Sequence, residues 1–217
     1  MDAPPPHEDP APFVAIADYL SGHGFRAPKV IASDLERGLV LLEDLGNRRM
    51  REHLAYHPDE EVAVYEQAID ELLKLRKIPP ADVPPYSEDK YLEEANLLIE
   101  WFAPAAHLRV DGKSYDAIWR ELLAPVIVAQ ADPVTVMRDY HAENIMLIGE
   151  DRLGLLDFQD ALAGHPAYDL VSLLQDARRD VPESLEAAML DRYLAATGEG
   201  DAFRTHYALL GAQRNAK

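Results

Sequence analysis

The chain has 217 residues and no cysteine, and 39 acidic against 21 basic residues give it a net charge of −18. That balance excludes a general nucleic-acid binder, which needs a basic patch to neutralise phosphates, and the missing thiols exclude disulfide and thiolate chemistry. Hydrophobic residues at 48% and charged residues at 28% are globular composition, no apolar run approaches the roughly 20 residues of a membrane span, and the acidic, Pro-rich start MDAPPPHEDP is no signal peptide, so the expected location is the cytoplasm.

Prolines 4, 5, 6, 10 and 12 predict an extended N-terminal stretch over residues 1–12. Asp9 and Pro10 read as the N-cap and first position of a helix in which Phe13, Ile16, Ala17 and Leu20 recur at helical spacing, ended by Gly22 or Gly24. Two short strands follow at 29–32 and 39–42, joined by a turn at 34–38, and Glu43-Asp44-Leu45-Gly46 breaks the second. The pattern then turns helical. A short helix is expected over 47–56, and a longer one over 58–76 with Val62, Tyr65, Ile69, Leu72 and Leu73 on one face. The four prolines of 79–86 make a loop. Ser87 should cap a helix to about residue 102 that turns Leu92, Ala95 and Ile99 inward, and Ser114 another that buries Ile118, Leu122, Leu123 and Val126 and bends at Pro125. Trp101 and Trp119 lie on apolar faces and are expected in the core. A β-rich run at 134–137 precedes a hairpin of 145–148 and 153–156 around residues 149–152. Helices at 168–177, 182–196 and 201–210 complete the chain.

Chemistry-bearing residues concentrate between Met137 and Asp160, in MRDYHAEN, the hairpin and LLDFQDA. A loop after a short strand carries Asp139 and, five positions on, Asn144. The far end of the hairpin carries Asp157. Because a hairpin folds back, Asn144 and Asp157 should be neighbours, and a carboxylate beside an amide oxygen is a hard-oxygen pair suited to Mg²⁺ held with phosphate. Asp139, one loop away, could accept a proton from a hydroxyl. This is what phosphoryl transfer needs: a group that orients the hydroxyl, and a metal bridging the phosphates. His141 could touch substrate, though a histidine so placed more often shapes its loop through backbone hydrogen bonds. Asp160 and Gln159 could contact substrate or cap the next turn. Arg138 favours a structural ion pair, and Arg178 and Arg179 a solvated helix end over an anionic substrate. The remaining histidines show no metal-ligand spacing, so no zinc site is expected.

On these stretches, together with VLLEDLG and PAYDLVSLLQDARRDV, the sequence resembles the aminoglycoside phosphotransferase family, and within it the bacterial anomeric kinases of N-acetylmuramate and N-acetylglucosamine. The resemblance covers essentially the whole chain. It implies an α+β, protein-kinase-like fold: residues 1–45 as the remnant of an N-lobe and 46–217 as a helical C-lobe with the catalytic loop and hairpin. It implies an enzyme that uses ATP and Mg²⁺ and a small-molecule acceptor, with neither nucleic acid nor membrane as partner. Asp139 would be the catalytic base, Asn144 and Asp157 the metal ligands, and Asp169 the brace of the catalytic loop. The backbone of Glu43, Asp44 and Leu45 would form the hinge against adenine. Two departures stand out. Met137 occupies a place where the family usually has histidine, and no G-x-G-x-x-G or G-x-x-x-x-G-K occurs anywhere. The chain thus reads as truncated at both ends, without the first three strands and the glycine loop. An aminoglycoside or choline-like kinase and a non-catalytic pseudokinase fragment are the alternative readings.

Overall fold

The computed structural model of the chain describes residues 1–149 and 152–217. Helix α1 (Ala11–Gly22) buries Phe13, Ile16, Ala17 and Leu20, the positions whose spacing makes it amphipathic. It starts one residue later than expected: Pro10 is the N-cap, and Asp9 reaches past it to accept from the Ala11 N–H at 2.9 Å. Strands β1 (Val30–Asp34) and β2 (Leu39–Leu42) pair antiparallel, with Ser33 opposite Val40. The N-terminal residues run along β2: Ala3 N–H donates to Gly38 O at 2.8 Å and Val40 N–H to Met1 O at 3.0 Å. Ile31, Leu39 and Leu41 remain exposed on this small sheet.

Helix α2 (Met50–Tyr56) is three residues shorter than its pattern predicts. The reason is competition from the hairpin. Leu147 N–H donates to Arg48 O at 2.8 Å and Arg49 bridges Met146, so this backbone is extended rather than helical. A 3₁₀ turn (Pro58–Glu60) leads into α3 (Glu61–Leu75), whose buried stripe is Val64, Tyr65, Ala68, Ile69, Leu72 and Leu75. Val62 faces solvent, one position off the expected face.

Ser87 caps α4 (Glu88–Leu97), its hydroxyl accepting from Lys90 N–H at 3.2 Å. The helix continues through a wide π turn (Leu98–Phe102) into α5 (Ala103–Ala105). The extra residue per turn rotates Trp101 and Phe102 outward, so Trp101 is 74% exposed instead of in the core. Helix α6 (Gly112–Ala129) is capped by Asp111, not Ser114. Asp111 accepts from Lys113 N–H, and Ser114 donates its hydroxyl to it at 2.6 Å. Trp119, Leu123 and Val126 are buried, while Ile118 and Leu122 lie on the exposed side. Pro125 sits within the helix on the solvent side, where the carbonyl it frees can meet water.

Strand β3 (Val134–Val136) pairs with β6 (Leu162–Gly164), a strand the sequence reading missed because LAG is too short to alternate. Strands β4 (Ile145–Leu147) and β5 (Leu153–Leu155) form the expected hairpin, with Met146 opposite Gly154. Two of its expected turn residues, Glu150 and Asp151, lie outside the described residues. Helix α7 (Ala167–Leu174) is buried throughout, followed by α8 (Glu183–Thr197) and α9 (Asp201–Ala216). Helix α9 runs past the expected end at residue 210 and packs on α7, α4 and α6, while α3 packs on α8. This bundle carries the loop between β3 and β4 and the segment after β5. Among the described residues, no helix is long and apolar enough to cross a membrane.

Candidate active site

The loop 137–144 leaves β3 with both its first amides held by one side chain. Met137 N–H donates to Asp169 Oδ2 at 2.7 Å and Arg138 N–H to Asp169 Oδ1 at 2.9 Å. Asp169 stands in the first turn of α7 and is buried. Burial pushes its carboxyl up to about 7, against the two N–H bonds and the nearby Arg214. Arg138 takes a positive φ of 68°, and the chain then delivers Asp139. The Asp139 carboxylate is 30% exposed, with Oδ1 3.6 Å from Arg214 Nη2 on α9 and 3.9 Å from His141 Nε2.

The hairpin does what its pattern predicts. Asn144 Nδ2 donates to Asp157 Oδ2 at 3.1 Å and to the Asp139 carbonyl at 3.0 Å. Leu156 N–H closes the hairpin base on Asn144 O at 2.9 Å. These bonds engage the Asn144 amide nitrogen and not its side-chain oxygen. Asp157 has φ 59°, a left-handed conformation that turns the chain sharply between β5 and Phe158. Gln159 Nε2 steadies Asp157 Oδ1 at 2.8 Å. Phe158 is buried and stacks on Phe13 of α1, ring centroids 4.9 Å apart, which fixes this segment against the first helix.

His141 is buried, and burial together with Arg178 holds its imidazole below the usual range. It shapes the loop differently from the expectation. Its main-chain oxygen accepts from Asn144 N–H at 2.9 Å, while its ring Nε2 lies 3.5 Å from Asn144 Nδ2. Asp160 keeps its carboxylate exposed and, with Asp157 and Gln159, lines a cavity of about 690 Å³ whose far wall includes His7, Glu8 and Phe13. Arg138 forms the structural ion pair anticipated for it, with Glu94. Arg179 is not a solvated helix end: it pairs with Glu61 at 2.5 Å beneath the Tyr65 ring. Arg178 meets Glu143 of the loop at 3.4 Å.

Of the residues expected at the hinge, Glu43 uses both backbone and side chain. Its N–H donates to Lys29 O at 2.9 Å, and its carboxylate, paired with Arg26, is held below the usual range. Asp44 turns its carboxylate back to Gly46 N–H at 2.8 Å. Leu45 packs over Gly154 of the hairpin, which brings this segment alongside the sheet that ends at Asn144 and Asp157.

Glu94 and Arg214 were missed. A buried acid on the face of α4 shared by Tyr91, Leu92 and Ala95 was a readable signal. Arg214 lies 75 positions from Asp139 and had none.

In sequence, residues 1–206 match the model of the phosphotransferase enzyme family. The chain is 40% identical to an N-acetylmuramate/N-acetylglucosamine kinase of Caulobacter vibrioides, the alignment covering 92% of this chain and 60% of the relative. It is 38% identical to the Pseudomonas aeruginosa kinase of the same name, covering 100% of this chain and 67% of that one. The chain therefore spans about two thirds or less of the length of these relatives. In structure, it is similar to an aminoglycoside phosphotransferase from Streptomyces rimosus solved with ADP and streptomycin: TM-score 0.67, 18% identity, 94% of this chain and 82% of that one. A choline kinase from Streptococcus pneumoniae gives a TM-score of 0.63 at 15% identity, covering 94% and 72%. These neighbours show the fold, the protein-kinase-like one expected. By the extent of the family match and the identity to its relatives, the chain belongs to the phosphotransferase enzyme family.

Proposed function

We propose that the chain carries the catalytic core of an ATP-dependent small-molecule kinase. Its acceptor is an N-acetylated amino sugar of the kind named for its relatives, N-acetylmuramate or N-acetylglucosamine, phosphorylated on the anomeric hydroxyl. The observation that carries this reading is the pairing of Asn144 with Asp157 at 3.1 Å, one loop from the partly exposed carboxylate of Asp139. An amide oxygen and a carboxylate are hard donors of the kind Mg²⁺ takes when phosphates complete its shell. The hydrogen bonds support the fit: Asn144 Nδ2 is taken up by the Asp139 carbonyl and Asp157 Oδ2, with the His141 ring 3.5 Å away, so Oδ1 is the atom that would serve as ligand. Bound there, the ion would neutralise phosphate charge.

Asp139 orients the acceptor hydroxyl and takes its proton as the new O–P bond forms and the bond to the leaving ADP breaks. Asp169 fixes the loop from below through the two amides it binds. Glu43, Asp44 and Leu45 line the adenine side, while His141 steadies Asn144 and Asp160 borders the acceptor cavity. On this reading residues 1–45 belong to the N-lobe and 46–217 to the C-lobe.

The test is a thermal melt of the protein with and without Mg·ATP, followed by a coupled assay with N-acetylglucosamine, N-acetylmuramate, kanamycin and choline. Ligand at 100 times its Kd stabilises by about 2.7 kcal/mol. The expected result is a shift lost in Asp157→Ala, and turnover of the amino sugars lost in Asp139→Asn with the nucleotide shift retained. A shift that survives Asp157→Ala, or turnover above a few per cent in Asp139→Asn, overturns the assignment of that residue.

A further inference from the structure

Arg138 is the anomaly of the loop. It stands immediately before Asp139 with φ 68°, a region where a side chain is unfavourable and glycine is at ease. The Asp169 carboxylate holds the backbone N–H, and the side chain is committed as well. The guanidinium leaves the loop in two directions. One nitrogen forms an ion pair with Glu94 on α4, and another donates to the Asp160 carbonyl at 3.2 Å. Glu94 is only 4% exposed. It also accepts from Tyr86, and it lies 3.4 Å from the Tyr168 hydroxyl and 3.6 Å from Lys217 Nζ. Burial pushes the Glu94 carboxyl up, but the Tyr86 hydrogen bond with Lys217 and Arg138 nearby outweighs it, so the group stays ionised.

Buried ion pairs are weak sources of net stability, because desolvation offsets their attraction, and their better-attested value is in fixing geometry. What this one fixes is legible in its ends. Arg138 joins three pieces that meet at the proposed site: the loop bearing Asp139, the segment Asp157–Asp160, and α4.

We infer that Arg138 and Glu94 are positioning residues, a clasp that ties the Asp139 loop to the metal-side segment and to α4 and so sets the Asp139 carboxylate relative to the Asn144–Asp157 pair. The inference rests on the reading above for the roles of those three residues, while the clasp itself is a structural claim that can be tested without turnover.

The variants are Arg138→Gly, Glu94→Gln and the double. Arg138→Gly relieves the left-handed backbone and leaves Glu94 its bond from Tyr86 and its contact with Lys217, so this variant keeps the fold even if Glu94→Gln does not. In the amino-sugar assay each single variant should lower kcat about 100-fold with both KM values nearly unchanged, since misplacement by about 1 Å costs that much. The double should lose no more than the worse single, because both cut one connection. Amide hydrogen exchange gives the second reading. Protection at residues 137–141 should fall about tenfold or more in either single variant, with α3 and α6 unchanged. Wild-type kcat in Arg138→Gly, or losses that multiply in the double, would overturn the clasp. So would protection lost evenly across the molecule, which would make the pair a stabiliser alone. Should the wild-type chain turn over none of the acceptors, the proposed function fails, and the exchange experiment still decides the clasp.

Discussion

Acid should unfold this protein through His165, whose ring cannot accept a proton without breaking the turn into α7. The imidazole is 3% exposed. Its Nδ1 accepts from Ala167 N–H at 3.1 Å, which places the ring proton on Nε2, facing His206 Nδ1 at 3.1 Å. Burial, reinforced by His206 and Arg76, depresses its pKa to about 3. The unfolded chain titrates this group near 6.5. Between these values the unfolded state binds a proton and the folded state does not, so the contribution is fully present above about 6.5 and is lost as pH falls toward 3. The loss reaches about 2 kcal/mol by pH 5 and about 5 kcal/mol at the bottom of the window, at 1.36 kcal/mol per unit of pKa. Urea melts followed by the fluorescence of buried Trp119 at pH 7.5, 6 and 5 measure it, against His165→Asn, whose amide oxygen can replace Nδ1 as acceptor. Carboxylates common to both proteins cancel in the difference. A wild-type-minus-variant stability that stays constant over that range would refute the reasoning. The consequence reaches the site, since Ala167 is two residues from Asp169.

Two further changes address that site. Asp169→Asn replaces one acceptor oxygen by an NH₂ that faces a loop N–H, so kcat should fall about 100-fold while nucleotide binding persists; near-normal turnover would show that the two amide bonds do not position Asp139. Gly154→Ala puts a Cβ 2.5 Å from Ile148 Cδ1 and 2.9 Å from Leu45 Cδ1, and displacing these side-chain ends should cost about 1–3 kcal/mol in urea melts and weaken Mg·ATP severalfold in calorimetry; an unchanged nucleotide Kd would separate Leu45 from the adenine side.

What the sequence made legible was local. Asn144 and Asp157 are brought together by one hairpin, and two short apolar runs around a turn suffice to predict that. The stripe Phe13, Ile16, Ala17, Leu20 likewise needs only a helical period. Apart from the choice between Asp111 and Ser114, the misreadings share a cause, a tertiary contact or a backbone irregularity that no short window contains. Residues 47–49 look helical, but Arg48 and Arg49 pair with the hairpin. Trp101 has a core residue's spacing until a π turn rotates it out. Ser114 has the chemistry of a cap, but Asp111, with two oxygens to offer, takes the position and binds the serine as well. Arg138 gave no hint of φ 68°, because its side chain finds Glu94, 44 positions earlier, only in the folded chain.

The same distinction between local and global resolves the protein's charge. A net −18 reads as hostile to a polyanion such as ATP. Yet the fold gathers cations from separate elements near the 137–144 loop, each beside a carboxylate: Arg138 and Lys217 at Glu94, Arg178 at Glu143 and Arg214 at Asp139. Arg214 is fixed there by its position over the Tyr168 ring, 5.6 Å from the centroid, with only 11% of its side chain exposed. Exposed carboxylates elsewhere act across water and are screened beyond about 8–10 Å, whereas Arg138 and Arg214, with 13% and 11% of their side chains exposed, act on their partners at contact distance in partly desolvated surroundings. On the proposed function, the field felt by a phosphoryl group entering beside Asn144 and Asp157 would be set by such close groups, which the fold brings in from distant parts of the chain, more than by the acidic surface.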